Sequence, residues 1–250
     1  MIMSIPALGR LLGSGKEAEV FESGALVVKL YRATAPKRSA FREAAILALV
    51  ESFGLPVPSV WGVRQIDDRW GVMMARADGP TFADAMSGQP SLTSLYLKGM
   101  ALLQLRVHTH PGTQLASLKA RLAANIQQTK LLGATRLDAL LTGLAVLPDG
   151  DRLCHGDFHP QNILGRLGQE LLVDWLDASR GDPAADVCRS YVLIRSSAPE
   201  LASAYLDTYA EVSGEGRDRI LSWLPFVAAA RLAEGVPDEV DNLMEMIDSG

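Results

Sequence analysis

Hydrophobic and polar positions change their period several times along the chain. The first third alternates. Leu11-Leu12 leads through Gly13-Ser14-Gly15 into Ala18-Glu19-Val20-Phe21-Glu22, and after Ser23-Gly24 comes Leu26-Val27-Val28-Lys29-Leu30-Tyr31. Two β-rich runs about a glycine-containing turn predict a hairpin. From Arg38 to Val50 the spacing becomes helical, with Phe41, Ala44, Ala45, Ala48 and Leu49 in step behind Pro36. The run Gly54–Pro58 stops that helix, and Ser59–Val63 and Trp70–Met74 predict two more strands around Asp67-Asp68-Arg69. Beyond the turn Asp78-Gly79-Pro80 the pattern is mostly helical. Leu92–His108, with Leu95, Leu97, Met100, Leu102, Leu103 and Leu105, reads as a buried helix, and Leu118–Leu131 and Leu137–Val146 follow. Two short apolar strands, Asn162–Leu164 and Leu171–Val173, interrupt the helices, which resume at Pro183. The fold class is therefore α+β: a small antiparallel β-rich lobe with one helix over residues 1–77, then a larger, mainly helical lobe over 78–250.

Composition narrows the class of protein without choosing a function. A chain of 250 residues, 48% hydrophobic and 21% charged, is an ordinary globular protein with a substantial core. The longest unbroken apolar run, Ala44–Val50, is far short of the ~20 residues a membrane span needs. The opening Met-Ile-Met-Ser-Ile-Pro has no basic stretch ahead of its apolar residues, so a leader is not expected. Cys154 and Cys188 make no disulfide framework and fit a reducing compartment. A cytoplasmic protein follows. The net charge of −5 gives no nucleic-acid footprint. Residues 201–250, however, hold ten acids against three bases. The plain account is solvated helix faces; the sharper one is a surface for a cationic ligand.

Three stretches carry candidate chemistry. Gly13-Ser14-Gly15 is the first. Glycines let a backbone turn its N–H groups onto phosphate oxygens. A Walker A loop is excluded because Arg10 and Glu17 stand where it needs glycine and serine or threonine, and a dinucleotide fold because a strand follows instead of a helix. A loop between antiparallel strands suits the sequence, as does a simple glycine turn. Lys29 is the second. Alternation puts it on one face with Val27 and Tyr31, where it is either an edge charge or a phosphate ligand steadied by Glu43 of the next helix. The third is His155-Gly156-Asp157-Phe158-His159-Pro160-Gln161-Asn162, followed by Asp174-Trp175-Leu176-Asp177. Asn162 and Asp174 offer hard oxygen ligands suited to magnesium, and Asp157 is left to accept a hydroxyl proton. A polar turn whose side chains merely cap one another is the bland alternative.

This third pattern resembles the aminoglycoside phosphotransferase family, related to choline and fructosamine kinases and built on a protein-kinase-like fold. The resemblance runs in order through Gly13, Gly15, Lys29, Glu43, Asp157, Asn162 and Asp174. It implies a two-lobed small-molecule kinase that moves the terminal phosphoryl of ATP or GTP to a hydroxyl of an antibiotic or a metabolite. Gly13, Ser14, Gly15, Lys29 and Glu43 would hold the nucleotide. Met73–Pro80 looks like the family's hinge, with the backbone of Ala75 and Ala77 at the adenine edge and Met74 behind it. Asn162 and Asp174 would bind two magnesium ions, Asp157 would be the base, and Asp186 of Gly181–Asp186 would brace the catalytic loop. His-Gly-Asp, Asp-Trp-Leu and the absence of Ala-Pro-Glu depart from protein kinases, so a protein substrate is disfavoured.

Two rivals stand beside this reading. A metal-dependent hydrolase would use His108/His110 and His155/His159 with the nearby acids, but it leaves Lys29, Glu43 and the glycine loop unexplained. A non-catalytic nucleotide-binding module would be expected to lack a base or a metal ligand, and Asp157, Asn162 and Asp174 are all present. Trp223 and Phe226 are candidate acceptor-pocket residues, more simply read as core. The acceptor itself, the choice between ATP and GTP and the oligomeric state have no signature in the chain.

Overall fold

The computed structural model describes residues 8–248. The reading of the first six residues as leaderless lies outside them. Among the described residues no helix is long and apolar enough to cross a membrane. The chain forms two compact units. The first ends at Phe82 and takes back Gln161–Leu176; the second holds Ala83–Pro160 and resumes at Asp177.

The first unit is built on a five-stranded antiparallel sheet. Its strands are β1 (Leu11–Ser14), β2 (Ala18–Ser23), β3 (Leu26–Tyr31), β4 (Val60–Ile66) and β5 (Arg69–Ala75), in the order β1-β2-β3-β5-β4. The predicted hairpin is β2–β3, in register from Ala18↔Tyr31 to Ser23↔Leu26, with Gly24 supplying the left-handed φ of 65°. Strand alternation divides β3 cleanly. Val28 and Leu30 join Met73 in a core cluster with Phe21 and Ile66 packed on it, while Lys29 and Tyr31 take the opposite face. Helix α1 (Lys37–Ser52) packs on β4 and β5.

The inward face of α1 differs from the expectation. Ala40, Glu43, Leu47 and Val50 are buried, whereas Phe41 is half exposed, lying against Trp70 with Lys37 over both rings. The helix turns a carboxylate inward because Lys29 and Tyr31 wait for it. The returning segment pairs β7 (Ile163–Leu164) with β8 (Leu171–Leu172). It is tied to the rest of the unit by Leu172 N–H to the Pro56 carbonyl (2.8 Å) and Gly165 N–H to the Pro80 carbonyl (2.9 Å).

The second unit is mainly helical: α2 (Phe82–Gly88), which starts at the boundary, then α3 (Thr93–His108), α4 (Leu118–Gln128), α5 (Ala134–Val146), α6 (Pro183–Arg195), α7 (Pro199–Ser213), α8 (Arg217–Leu221), α9 (Leu224–Leu232) and α10 (Val240–Asp248). A two-stranded ribbon of β6 (Arg152–Cys154) and β9 (Ser179–Gly181) crosses it. Helix α3 buries Leu97, Met100, Leu103 and Val107 together with the polar Gln104 and His108; Leu95 and Leu102 face solvent. Helix α6 starts on Asp182, which caps the Ala184 N–H, with Pro183 pre-set at the first helical position. It is buried along nearly its whole length. Trp223 is a core residue, 1% exposed.

Candidate active site

In the first unit, sheet alternation and the inward stripe of α1 bring Lys29 and Glu43 together. Lys29 Nζ lies 2.7 Å from Glu43 Oε1 and 2.7 Å from Asp174 Oδ1. Tyr31 donates its hydroxyl to the other oxygen of Glu43, so both ends of that carboxylate, 1% exposed, are satisfied. Burial alone would lower the Lys29 pKa, but Glu43 and Asp174 outweigh it and hold the ammonium charged. Burial and the same two carboxylates push Tyr31 well up, so it stays a neutral donor. Tyr31 was legible only as a neighbour of Lys29 on the strand face; its hydrogen bond depends on where α1 lies.

Asp174 follows β8 in a left-handed conformation, φ 63°, rare for a non-glycine residue. The Val173 N–H donates to the Asn162 carbonyl at 2.9 Å, closing the β7–β8 ribbon so that its two ends bring Asn162 and Asp174 together. The Asp174 side chain is 43% exposed, with one oxygen on Lys29. One amide and one accessible carboxylate make a hard, oxygen-only donor set that suits magnesium, which completes its octahedron with water and phosphate.

Gly13 and Ser14 end β1 and Gly15 follows, all exposed. Arg32 donates to Ser14 Oγ (3.0 Å) and to the Gly15 carbonyl (3.1 Å). A Cβ on Gly13 would meet nothing within 4 Å, and one on Gly15 only the Ala18 carbonyl at 3.6 Å. Neither glycine has a left-handed φ. The fold itself therefore does not require glycine at either position. Met74 is buried in β5 between Val27 and Val60. Ala75 ends the strand with its N–H already donated to the Ser59 carbonyl (2.8 Å), and Ala77 lies beyond it, half-buried.

In the second unit, Asp157 sits in the loop after β6. That loop is held by Asp186, at the first turn of α6 and 1% exposed. Asp186 Oδ1 accepts the Gly156 N–H (2.7 Å), and Oδ2 accepts the His155 N–H (3.2 Å), Gln104 Nε2 (2.9 Å) and His108 Nε2 (3.0 Å). His108 Nδ1 meets the Tyr209 hydroxyl at 2.8 Å. The ligand-capable atoms of His108, Cys154 and Asp186 all lie within 4.8 Å of one another. Both ring nitrogens of His108 are nevertheless engaged, and burial pushes the Cys154 thiol well up, away from the thiolate a metal needs. The group is a hydrogen-bonded brace. Burial would raise Asp186, but His108 and Gln104 outweigh it and hold the carboxyl at about 2.

Asp157 is similarly opposed: burial would raise it, while His159, whose Nε2 lies 3.5 Å from Oδ2, and Arg189 and His155 hold it far below the usual carboxylate range. It is ionised and half-buried. Arg189, on α6 one turn past Asp186, donates Nε to the Gly156 carbonyl and pairs with Glu234 at 2.8 Å. Its sequence signal was a charge in the middle of a helix whose other charges, Asp186 and Arg195, lie in its first and last turns.

The first unit holds a lysine between two acidic side chains and an Asn–Asp pair at the open end of a ribbon, the second a braced loop aspartate, and these are the parts of a kinase-like phosphotransferase fold. The chain belongs to the phosphotransferase enzyme family, whose model matches residues 9–223. Membership makes it a phosphotransferase. No curated protein sequence matches it. Among solved structures it is similar to the aminoglycoside phosphotransferase APH(4)-Ia in ternary complex with ADP and hygromycin B, with a TM-score of 0.71 at 16% identity, covering 98% of this chain and 90% of that one. It is also similar to ADP-bound APH(2'')-Ib, with a TM-score of 0.64 at 18% identity, covering 98% and 93%. A third is the aminoglycoside-3'-phosphotransferase of type VIII, with a TM-score of 0.60 at 21% identity, covering 90% of each chain.

Two outcomes follow from the braced loop. Gly156 has φ 81°, and a Cβ there would stand 2.3 Å from the Asp177 carbonyl. Gly156→Ala should lower stability by at least about 1–3 kcal/mol, read as a fall in the thermal midpoint. The Asp186 carboxyl is held below its ordinary 3.8, so its contribution is present above that pH and is lost as pH falls toward about 2. The gap in urea midpoint between parent and Asp186→Asn should be constant above pH 5 and narrow between pH ~4 and ~2.

Proposed function

We propose that the protein is a small-molecule kinase transferring the terminal phosphoryl of ATP or GTP to a hydroxyl of an aminoglycoside-like antibiotic or a hydroxylated metabolite. The observation that carries this reading is Lys29 held at 2.7 Å by both Glu43 and Asp174. An ammonium has three N–H donors. Two are spent on the carboxylates, which leaves the third for a phosphate oxygen. The cost of burying that charge is met before any nucleotide arrives, so the lysine is preorganised.

The remaining nucleotide contacts are assigned as follows. Gly13, Ser14 and Gly15 lie over the phosphates, their smallness serving the approach of the ligand, since nothing within the fold asks for it. The purine meets the hinge through the Ala75 carbonyl, because the Ala75 N–H is already committed to Ser59, and through the Ala77 N–H, with Met74 behind. Asn162 and Asp174 hold magnesium, which when bound supplies charge neutralisation to the phosphate oxygens.

The acceptor oxygen attacks the terminal phosphorus, the bond to the β–γ bridging oxygen breaks, and the nucleoside diphosphate leaves. Asp157 accepts the hydroxyl hydrogen. Its depressed pKa makes it a poor proton acceptor early in the reaction. In a loose transition state the proton leaves late, so the task is orientation first and proton uptake second. The aminoglycoside ligand named for the structurally similar APH(4)-Ia complex supports a polyhydroxylated, cationic acceptor.

The acidic tail supports that less strongly than its charge suggests. Asp207 pairs with Arg217, Glu215 with Arg219, Glu234 and Glu239 with Arg231, and Asp248 with Arg136. Exposed Asp238 and Asp241 remain as candidates for a cationic acceptor.

The test is phosphoryl transfer from magnesium ATP and, separately, GTP over a panel of aminoglycosides, choline, amino alcohols and sugars. Asp157→Asn should cut turnover by roughly 10²–10⁴-fold while leaving nucleotide affinity nearly intact. Lys29→Ala should cut it by about 10²-fold or more with the fold retained. Full turnover by Asp157→Asn would remove the base assignment, and binding of neither nucleotide would remove the kinase reading.

A further inference from the structure

The peptide group joining Gly156 to Asp157 is pinned at both ends. Its carbonyl accepts Nε of Arg189, and its N–H donates to His155 Nδ1 at 3.2 Å. The preceding N–H, that of Gly156, is held by Asp186 Oδ1 at 2.7 Å. Asp186 and Arg189 lie one turn apart on α6, so a single buried helix grips the loop from two directions. With this peptide plane held, only the φ of Asp157 separates it from the Cα–Cβ bond, so the directions open to that bond are narrowed.

Arg189 is itself an expensive device. It is 7% exposed, in a helix that is buried along nearly its whole length. A guanidinium there is stable only if its charge and donors are matched. Nη1 meets Glu234 Oε1 at 2.8 Å. Glu234 Oε2 accepts Arg231 Nη1, and Arg231 holds Glu239 by a fork of 2.7 and 2.9 Å. Five alternating groups thus run within one compact unit from the catalytic-loop carbonyl to the turn before α10. The far end is partly solvent-exposed while the near end is dry.

We propose that Arg189 is a positioning residue for phosphoryl transfer, aiming Asp157 through the Gly156 carbonyl, and that Glu234, backed by Arg231 and Glu239, makes the segment between α9 and α10 a control point for the transfer rate. This rests on Asp157 as the residue that orients the acceptor hydroxyl. The nucleotide-assigned residues Lys29, Glu43, Asn162 and Asp174 all belong to the other unit. Loosening the chain of charges should therefore act on turnover and leave nucleotide affinity alone.

Three variants test it: Glu234→Gln, Glu234→Asp and Arg189→Lys. Lysine keeps the charge but cannot fork between the Gly156 carbonyl and Glu234. The probes are magnesium ATP with water and with hygromycin B as acceptors, a fluorescent ADP analogue for affinity, thermal midpoint, and amide exchange of the peptides spanning 153–160 and 26–43. Glu234→Gln and Arg189→Lys should each lower kcat about tenfold or more. KM for ATP and the affinity for the ADP analogue should change less than about twofold, since neither variant touches the nucleotide-assigned residues. Exchange should quicken at 153–160 and stay unchanged at 26–43. Glu234→Asp should recover most of the loss.

Folded Glu234→Gln and Arg189→Lys proteins with parental kcat and parental exchange at 153–160 would overturn the proposal. So would exchange that rises at 26–43 as much as at 153–160 while kcat falls and KM for ATP rises, which is the mark of a merely structural role. Asp157→Asn separates the two levels. If it abolishes turnover and the Glu234 and Arg189 variants do not, only the positioning chain fails. If it keeps turnover, the assignment of Asp157 fails, and the exchange at 153–160 still reads whether Arg189 holds the loop.

Discussion

The Asp186 carboxylate is the constraint on which the candidate catalytic loop depends. It is buried and ionised, a combination that is costly unless every lone pair is used. Here four donors converge on it: two backbone N–H groups of the loop, the amide of Gln104 and the imidazole of His108. The helix that carries it begins with a capped, proline-started turn, and Asp182, the cap, is itself gripped by Arg219 at 2.6 and 3.2 Å. The order of causes runs from Asp182-Pro183 in the sequence, to a fixed helix start, to a fixed carboxylate, to a loop held at two successive N–H groups. Preorganisation of this kind is what electrostatic catalysis asks of a scaffold.

The first unit solves a different problem with the same means. Lys29 needs compensation in a largely buried position, and two carboxylates supply it from places remote in sequence, one on α1 and one after β8. Glu43 would be a burden without Lys29 and Tyr31, and Lys29 without Glu43. Each is tolerable only because the sheet and helix hold them in register. This mutual dependence explains why the helix presents one carboxylate within its apolar inward stripe while a large aromatic, Phe41, is left outside.

What was legible in the chain followed from local physics. Alternation in β3 and the glycine turn before it were enough for the hairpin and for the common face of Lys29 and Tyr31. The spacing of Asp157, Asn162 and Asp174 was enough to suspect a site. The rest needed distance. The inward face of α1 was misjudged because apolar residues were counted, and the deciding residue is a buried glutamate. Leu95 and Leu102 have the spacing of a core stripe yet face water, since periodicity names a face and not its neighbour. The return of Gln161–Leu176 to the first unit rests on backbone bonds from Leu172 to Pro56 and from Gly165 to Pro80. Main-chain bonds over such separations leave no side-chain pattern to read.

The acidic tail shows the same limit for charge. Summed over the last fifth of the sequence it looks like a surface waiting for a cation. In the fold, Arg136 and Arg189 arrive from outside that segment to join Arg217, Arg219 and Arg231, and five of the acids are bonded to arginine. Glu234 and Glu239, the two with the best geometry, are therefore spent on fixing a buried guanidinium and its support. Recognition of a cationic acceptor has to come from acids that the fold does not use, and the local net charge is a poor guide to how many of those there are. Charge counted along a sequence measures composition; only its pairing in space says whether it is free to act.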